Sequence, residues 1–395
     1  MLICNSITFS QNLYFQSYTS TEGLSQNSIY CIAETPEGFM WFGTQDGINR
    51  FDGKKFKSFI PVMETTEGTV SNFSKMITTL YHDRQDHLWV GTTRELLLYD
   101  RYTGKFGYPH DVYPGFKLPS DMWFKKIIED TYDNLWIITQ DNGIFCYNKS
   151  ARTMKSVLWE STAPKKMLNI MKDSKGVVWV ASNTDLYYFD NGTFFPVKTA
   201  QRLNKANITI ADICLVNNTL WTIVNSSEIV IFDIFNKNNI THTYFDHIYS
   251  GKTKLADARI LHQSDSNTVW VGSRSDGLLK VNLKDKTYIK AGAAGTSYSL
   301  VSQFILSFYT NKQFITWIGL SGGLAKYDVQ KVQFGLWRNE PESNKPAPDN
   351  KIFSILGDTE EDFIHHLGFG YTLKILQLTR TDCSGFIFYL LDSND

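Results

Sequence analysis

The sequence is poor in cysteine. Its five, Cys4, Cys31, Cys146, Cys214 and Cys383, are widely spaced and form no CxxC pair. That excludes a disulfide framework and a thiolate metal cluster, and it predicts buried free thiols. Net charge is lacking too: 39 Lys and Arg stand against 40 Asp and Glu. No overall field draws the chain to a polyanion, so no nucleic-acid contact is expected. No apolar run is long enough to cross a membrane as a helix. There is no GxSxG, HExxH, phosphate-binding glycine loop or cysteine-nucleophile signature. No catalytic residue, cofactor or metal is therefore predicted. A turn acid such as Asp173 offers too few oxygens for calcium, and His365-His366 carries no metal prediction.

Aromatic side chains are plentiful, with 20 Tyr, 27 Phe and 10 Trp making 14% of the chain. Seven tryptophans share one context, as in MWFGTQDGINRFD at Trp41 and LWVGTTRELLLYD at Trp89. The others are Trp136, Trp179, Trp221, Trp270 and Trp317, and the seven are spaced 42 to 49 residues apart with a mean of 46. A period of that size marks a solenoid, propeller or array. Before each Trp runs a β-branched and aromatic segment such as SIYCIAE or MITTLYH, which reads as a buried strand. Three residues before the Trp stand Gly38, Asp86, Asp133, Gly176, Asn218 and Asn267, residues that tolerate the left-handed backbone of a tight turn. Phe314 occupies that place in the seventh copy, whose hairpin is expected to differ.

Two residues after the Trp, Gly43, Gly91, Ala181, Gly272 and Gly319 leave room for a close approach of backbones. A third strand then ends on an aromatic and an Asp or Asn, as in Phe51-Asp52 and Tyr99-Asp100, and a fourth follows, as in KKFKSFI. No copy has a helical run of ten residues, which excludes a helical solenoid. The fold read from this is all-β, a seven-bladed β-propeller of four-stranded antiparallel blades. The tryptophans anchor the packing between blades. Leu13 to Tyr18 resembles a fourth strand and is expected to complete the last blade, closing the ring through the N-terminus.

The stretch Phe15 to Phe59, with GLSQNS, WFGT and GINRFDG, resembles the two-component regulator propeller repeats of periplasmic sensor regions in hybrid two-component histidine kinases, regulators of polysaccharide use. The resemblance implies a periplasmic propeller that senses an oligosaccharide. It also implies partners outside this sequence: a second propeller, an immunoglobulin-like domain and homodimerisation through further domains. The kinase and DNA-binding motifs of such proteins are not in this chain, so it is expected to be no enzyme by itself.

Three segments are read. Residues 1–12 are a signal-peptide remnant or the start of an expressed fragment. Residues 13–340 are the propeller. Residues 341–395 begin another repeat at NKIFSILGD but lack its Trp, so a frameshift or truncation is expected, with a divergent cap as the alternative.

The loops between second and third strands share a face with those leading into the next blade. Candidate ligand-binding residues on that face are Gln45, Asp46, Arg94, Glu95, Trp123, Lys125, Gln140, Asp141, Arg274 and Asp276. The arginines offer forks for a carboxylate, sulfate or sugar hydroxyls. Trp123, out of the blade register beside two lysines, offers a stacking surface, and Trp159 and Trp337 are also out of register. The alternatives to a sensor are a protein-binding scaffold and a propeller glycoside hydrolase or lyase. The last would need paired acids of raised pKa in the central funnel.

Overall fold

The computed structural model describes residues 13–64, 70–159, 166–236, 239–248, 255–291, 299–329, 352–357, 363–367 and 371–374, with 62–64, 70–72, 158–159 and everything after 351 as backbone only. The chain divides into two compact units, Met1–Tyr327 and Asp328–Asp395.

The first unit is a seven-bladed β-propeller. Each blade is an antiparallel sheet whose strands follow the chain outward, as in the first: Ile29–Glu34, Met40–Thr44, Gly47–Phe51 and Phe56–Phe59. The innermost strands of the other blades are Ile77–His82, Phe124–Glu129, Met167–Lys172, Ile210–Val216, Ala258–Asp265 and Ile305–Thr310. Each touches the next, and the seventh touches the first, so the ring is closed. The seventh blade takes its outer strand from the N-terminus: Gln16–Tyr18 pairs antiparallel with Leu324–Tyr327, Gln16 opposite Lys326. This is the expected clasp, and Phe15 beside it is buried. The fourth blade carries a short fifth strand, Leu158–Trp159, parallel to its outer strand Thr193–Pro196. In the second unit Ile352–Gly357, Phe363–Leu367 and Tyr371–Lys374 form an antiparallel sheet. Trp337, Cys4 and Cys383 lie outside the described residues.

All seven repeat tryptophans are at most 3% exposed. Four of them pack on the aromatic that ends the third strand of the next blade: Trp41 on Tyr99 at 4.8 Å between ring centres, Trp136 on Phe189 at 4.7 Å, Trp270 on Tyr327 at 5.1 Å and Trp317 on Phe51 at 5.7 Å. Large rings fill the wedge between blades, and the aromatic surplus goes there. The glycines after the Trp have the expected reason. A Cβ on Gly91 would lie 2.5 Å from Thr79 Cγ2 and 2.8 Å from Phe124 Cβ, the latter in the next blade.

The hairpin turns correct three residues. Phe314 does not break the pattern: it takes the same left-handed conformation, φ 60°, as Gly38, Asp86, Asp133 and Gly176. Its backbone N–H donates to Asn311 O at 3.0 Å, the same bond that Gly38 makes to Thr35. The turn is dictated by the residue that opens it, so the bulky Phe314 is forced into place. In the fifth copy the left-handed residue is Asn217 rather than Asn218. There Val216 pairs directly with Thr219, which leaves a two-residue turn. The sixth copy makes the same short turn between Asp265 and Thr268, and Asn267 is not left-handed.

Sequence reading missed the residue six places before each Trp. Asp83, Asp130 and Asp173 each accept two turn N–H groups on one oxygen and the indole Nε1–H on the other, at 2.9, 2.8 and 2.9 Å. One carboxylate thus ties the turn to the inter-blade ring. Its regular spacing was the available signal.

Candidate functional site

Every inner strand carries a β-bulge near its start, with extra residues Tyr30, Thr78, Lys125, Leu168, Ala211, Arg259 and Leu306, and the sixth blade has a second bulge at Ser264. A bulge places two neighbours where the ladder has room for one, so their side chains diverge in role. Inner-strand residues at or shortly beyond these bulges stitch the channel wall. Lys126 Nζ donates to Asn169 Oδ1 at 2.6 Å, and Asn169 Nδ2 donates to Asp212 Oδ1 at 2.6 Å. Asp212 Oδ2 accepts the Leu261 N–H at 2.9 Å, and His262 Nε2 meets Thr310 Oγ1 at 2.8 Å. Ser307 Oγ donates to Ile29 O at 3.0 Å, Cys31 Sγ reaches Ile77 O at 3.9 Å, and Thr78 Oγ1 donates to Phe124 O at 2.6 Å. All seven junctions between inner strands therefore hold a polar contact.

Titration behaviour follows from this burial. Burial pushes the Asp212 carboxyl up, against the hydrogen bond from Leu261 and the charge of Lys126. Burial likewise pushes Lys126 down, with Asp212 opposing. His262 is held down to about 4, by burial first and by the charge of Lys126 second. Cys214 is pushed up to about 12 by burial and then by Asp212, and Cys146 to about 12 by burial and then by Asp130. Together with Cys31, these are free thiols.

Above the wall, the loops between second and third strands are fixed by buried hydroxyls at the strand ends. Thr44, Thr92, Thr139, Ser182 and Ser273 each donate to the carbonyl that closes the loop, at 2.9 to 3.1 Å. Each also accepts a loop N–H, so the tips are preorganised.

The ten predicted ligand residues fall into separate groups. Gln45 is exposed at its tip, and Asp46 pairs with Lys75 at 3.4 Å. Arg94 is engaged with Asp121 at 2.9 Å, whose hydrogen bond and charge raise its pKa. Glu95 Oε2 accepts from Ser74 N at 3.1 Å and Thr92 Oγ1 at 3.0 Å, bracing the loop. Arg274 lies over the Phe304 ring at 5.4 Å and 4.0 Å from Asp257. Asp276 is held by Lys290 at 2.6 Å and by the Ala256 N–H at 3.0 Å, and these contacts lower its pKa.

The other four come together at the mouth of the third blade. Trp123 O accepts the Gln140 N–H at 2.8 Å, Gln140 Nε2 donates to Asp141 Oδ2 at 3.2 Å, and Lys125 Nζ stands 5.7 Å from the Trp123 ring centre. Trp123 Nε1 is buried without an acceptor. Burial lowers the Lys125 pKa, the like charge of Arg259 lowers it further, and Asp141 opposes both. Arg259, extended from the inner strand of the sixth blade, was not among the predicted residues. Nothing in its local sequence distinguishes it from surface arginine, and only the ring of blades brings its charge to act on Lys125.

Known proteins match in sequence and in fold. Residues 23–46 and 73–94 match the two component regulator propeller family. A 48-residue stretch, 12% of this chain, is 46% identical to Histidine kinase P4 of Formosa agariphila and spans 4% of that protein. The extracellular domain assigned to a hybrid two component system, BT3049, of B. thetaiotaomicron superposes with TM-score 0.64 at 17% identity, over 97% of this chain and 55% of that one. This chain thus spans about half the length of that domain. A streptogramin B lyase superposes with TM-score 0.56 at 16% identity, over 80% of this chain and 98% of the enzyme. At such identities the two structures share the propeller fold. The two matched stretches lie in the first and second blades, which carry two component regulator propeller repeats.

Proposed function

We propose that this chain is an extracytoplasmic sensing propeller of a two-component regulator, which binds an oligosaccharide in the periplasm at the mouth of its central channel. The observation that carries the reading is the pairing of these repeats with the constellation at the third blade: an aromatic ring, an amide, a carboxylate and an ammonium on braced loops. Such a mixture of flat apolar surface and convergent polar groups suits a sugar ring and its hydroxyls. No helix among the described residues is long and apolar enough to cross a membrane. Signal output would rest with a second propeller, an immunoglobulin-like domain and dimerising parts beyond this chain.

Binding is favoured over catalysis because the raised carboxyl on the channel wall, Asp212, is already committed to Asn169 and Leu261. A glycosidase needs a free pair of acids.

A thermal-shift screen of the purified chain against plant, algal and host oligosaccharides tests the reading, since a ligand bound only by the folded state raises its melting temperature. The expected result is a saturable rise with one glycan class, reduced by Trp123→Ala. A screen with no rise, alongside a protein partner captured at the same mouth, would replace the glycan with that partner.

A further inference from the structure

Many polar side chains of the inner strands are used within the channel wall. The cross-strand contacts occupy Lys126, Asn169, Asp212, His262 and Ser307. Among the described residues, the side chains of Lys125 and Arg259 make no hydrogen bond or ion pair, and they are the two charged residues at the extra positions of the inner-strand bulges. Lys125 and Lys126 are adjacent in sequence, yet Lys126 is bonded into the wall and Lys125 is left to the channel. The sixth blade lies three places round the ring from the third, so the two bulge residues approach from opposite sides.

Lys125 is half-buried and Arg259 exposed, and the charge of Arg259 works against the Lys125 ammonium. Asp141 is the one carboxylate whose charge favours the Lys125 ammonium, and it shares an oxygen with Gln140. The charges that act on Lys125 are thus one cation against its ammonium and one carboxylate in its favour. A second negative group between them would relieve the repulsion and accept hydrogen bonds from both.

We propose that Lys125 and Arg259 form a clamp across the channel for one anionic group, a carboxylate or sulfate carried by the ligand, so that the sensed sugar is acidic. This rests on the sensing assignment but names a feature that can fail by itself. The Arg259 fork takes two oxygens of the group, and the Lys125 ammonium takes a third contact, with the Trp123 ring beside it. Arg94, bonded to Asp121, and Arg274, over the Phe304 ring, are outside the clamp.

The test is calorimetric titration of the intact chain in low-salt buffer with inorganic sulfate, then with uronate-containing and sulfated oligosaccharides and their neutral counterparts. Wild type, Lys125→Gln and Arg259→Gln are compared. The clamp predicts saturable sulfate binding by wild type and a loss of about tenfold or more in either variant, the scale of one charge-assisted hydrogen bond. It also predicts that the ligand-free melting temperature of Lys125→Gln is equal to or above that of wild type, because repulsion has been removed. A purely structural lysine would give the opposite change.

Sulfate binding that both variants retain, or no sulfate binding by wild type, overturns the clamp. If neutral sugars bind all three proteins equally and acidic ones no better, the clamp fails and the glycan assignment stands. If sulfate binds through both residues but no oligosaccharide binds more tightly, the clamp stands and the glycan assignment fails.

Discussion

Trp89 Nε1 donates to Asp83 Oδ2 at 2.9 Å, and the same carboxylate holds the turn that precedes the Trp strand. Tyr113 Oη also donates to it at 2.6 Å, and Lys149 Nζ lies 3.1 Å away. Burial works against the Asp83 charge, but the Tyr113 and Trp89 hydrogen bonds, the His87 backbone N–H and Lys149 hold its pKa below the usual carboxylate range. The third and fourth copies repeat the Asp–Trp bond, whereas the first and seventh put Thr35 and Asn311 at that place and leave Trp41 and Trp317 Nε1 buried without an acceptor.

The Asp–Trp bond can be gained or lost. Asn311→Asp offers an acceptor to Trp317 and is expected to stabilise the protein by about 1 kcal/mol, whereas Asp130→Asn strands the Trp136 N–H and costs about 2 kcal/mol. Urea unfolding of both variants measures the two signs. A stabilising Asp130→Asn would show that the carboxylate serves the turn alone.

Phe314 is 63% exposed with φ 60°, a backbone that bulky side chains adopt at a cost. Phe314→Asn should raise stability by about 0.5–1 kcal/mol, read as a higher denaturation midpoint at unchanged slope.

Gly272 is closed in from two blades. An added Cβ would lie 2.7 Å from the Ile260 side chain and 2.7 Å from that of Ile305. Gly272→Ala is expected to cost about 1–3 kcal/mol through overpacking, while Gly53→Ala meets no atom within 4 Å and bears only its backbone cost. Equal losses at both sites would remove close packing as the reason for the repeat glycine.

His262 sets a pH dependence. Its folded pKa is depressed to about 4 from an ordinary value near 6.5, so the folded state stays neutral where the unfolded chain takes a proton. The stabilising contribution is complete above about 6.5 and is lost as pH falls toward about 4. Melting temperatures of wild type and His262→Gln across that window should converge as the pH drops. Parallel curves would mean that His262 titrates normally.

The sequence displayed the blades because their determinants are local. A turn residue, a tryptophan, a glycine and a terminal hydroxyl recur at fixed offsets within each repeat. The N-terminal strand was legible for the same reason, since Leu13 to Tyr18 has a fourth strand's pattern. The channel was not legible. Its contacts join residues one repeat apart, such as Lys126 and Asn169, and the roles of Lys125 and Lys126 are decided by a bulge that leaves no mark on composition. Arg94 and Arg274 were conspicuous as charges, but their neighbours were not: Asp121 lies 2.9 Å from Arg94 and Asp257 4.0 Å from Arg274.

The clasp has a consequence for the order of assembly. Gln16 is made before the first complete blade, yet its partner Lys326 emerges only when all other blades have been laid down. The first strand must therefore wait, unpaired, while six sheets form from nearest-neighbour hairpins. The seventh sheet pays the largest loop-closure entropy and forms last. Until then the intermediate is an open arc whose end sheets each show an uncovered aromatic face. A chain cut before Lys326 is left in that sticky state, because the N-terminal strand then has no partner to close the ring.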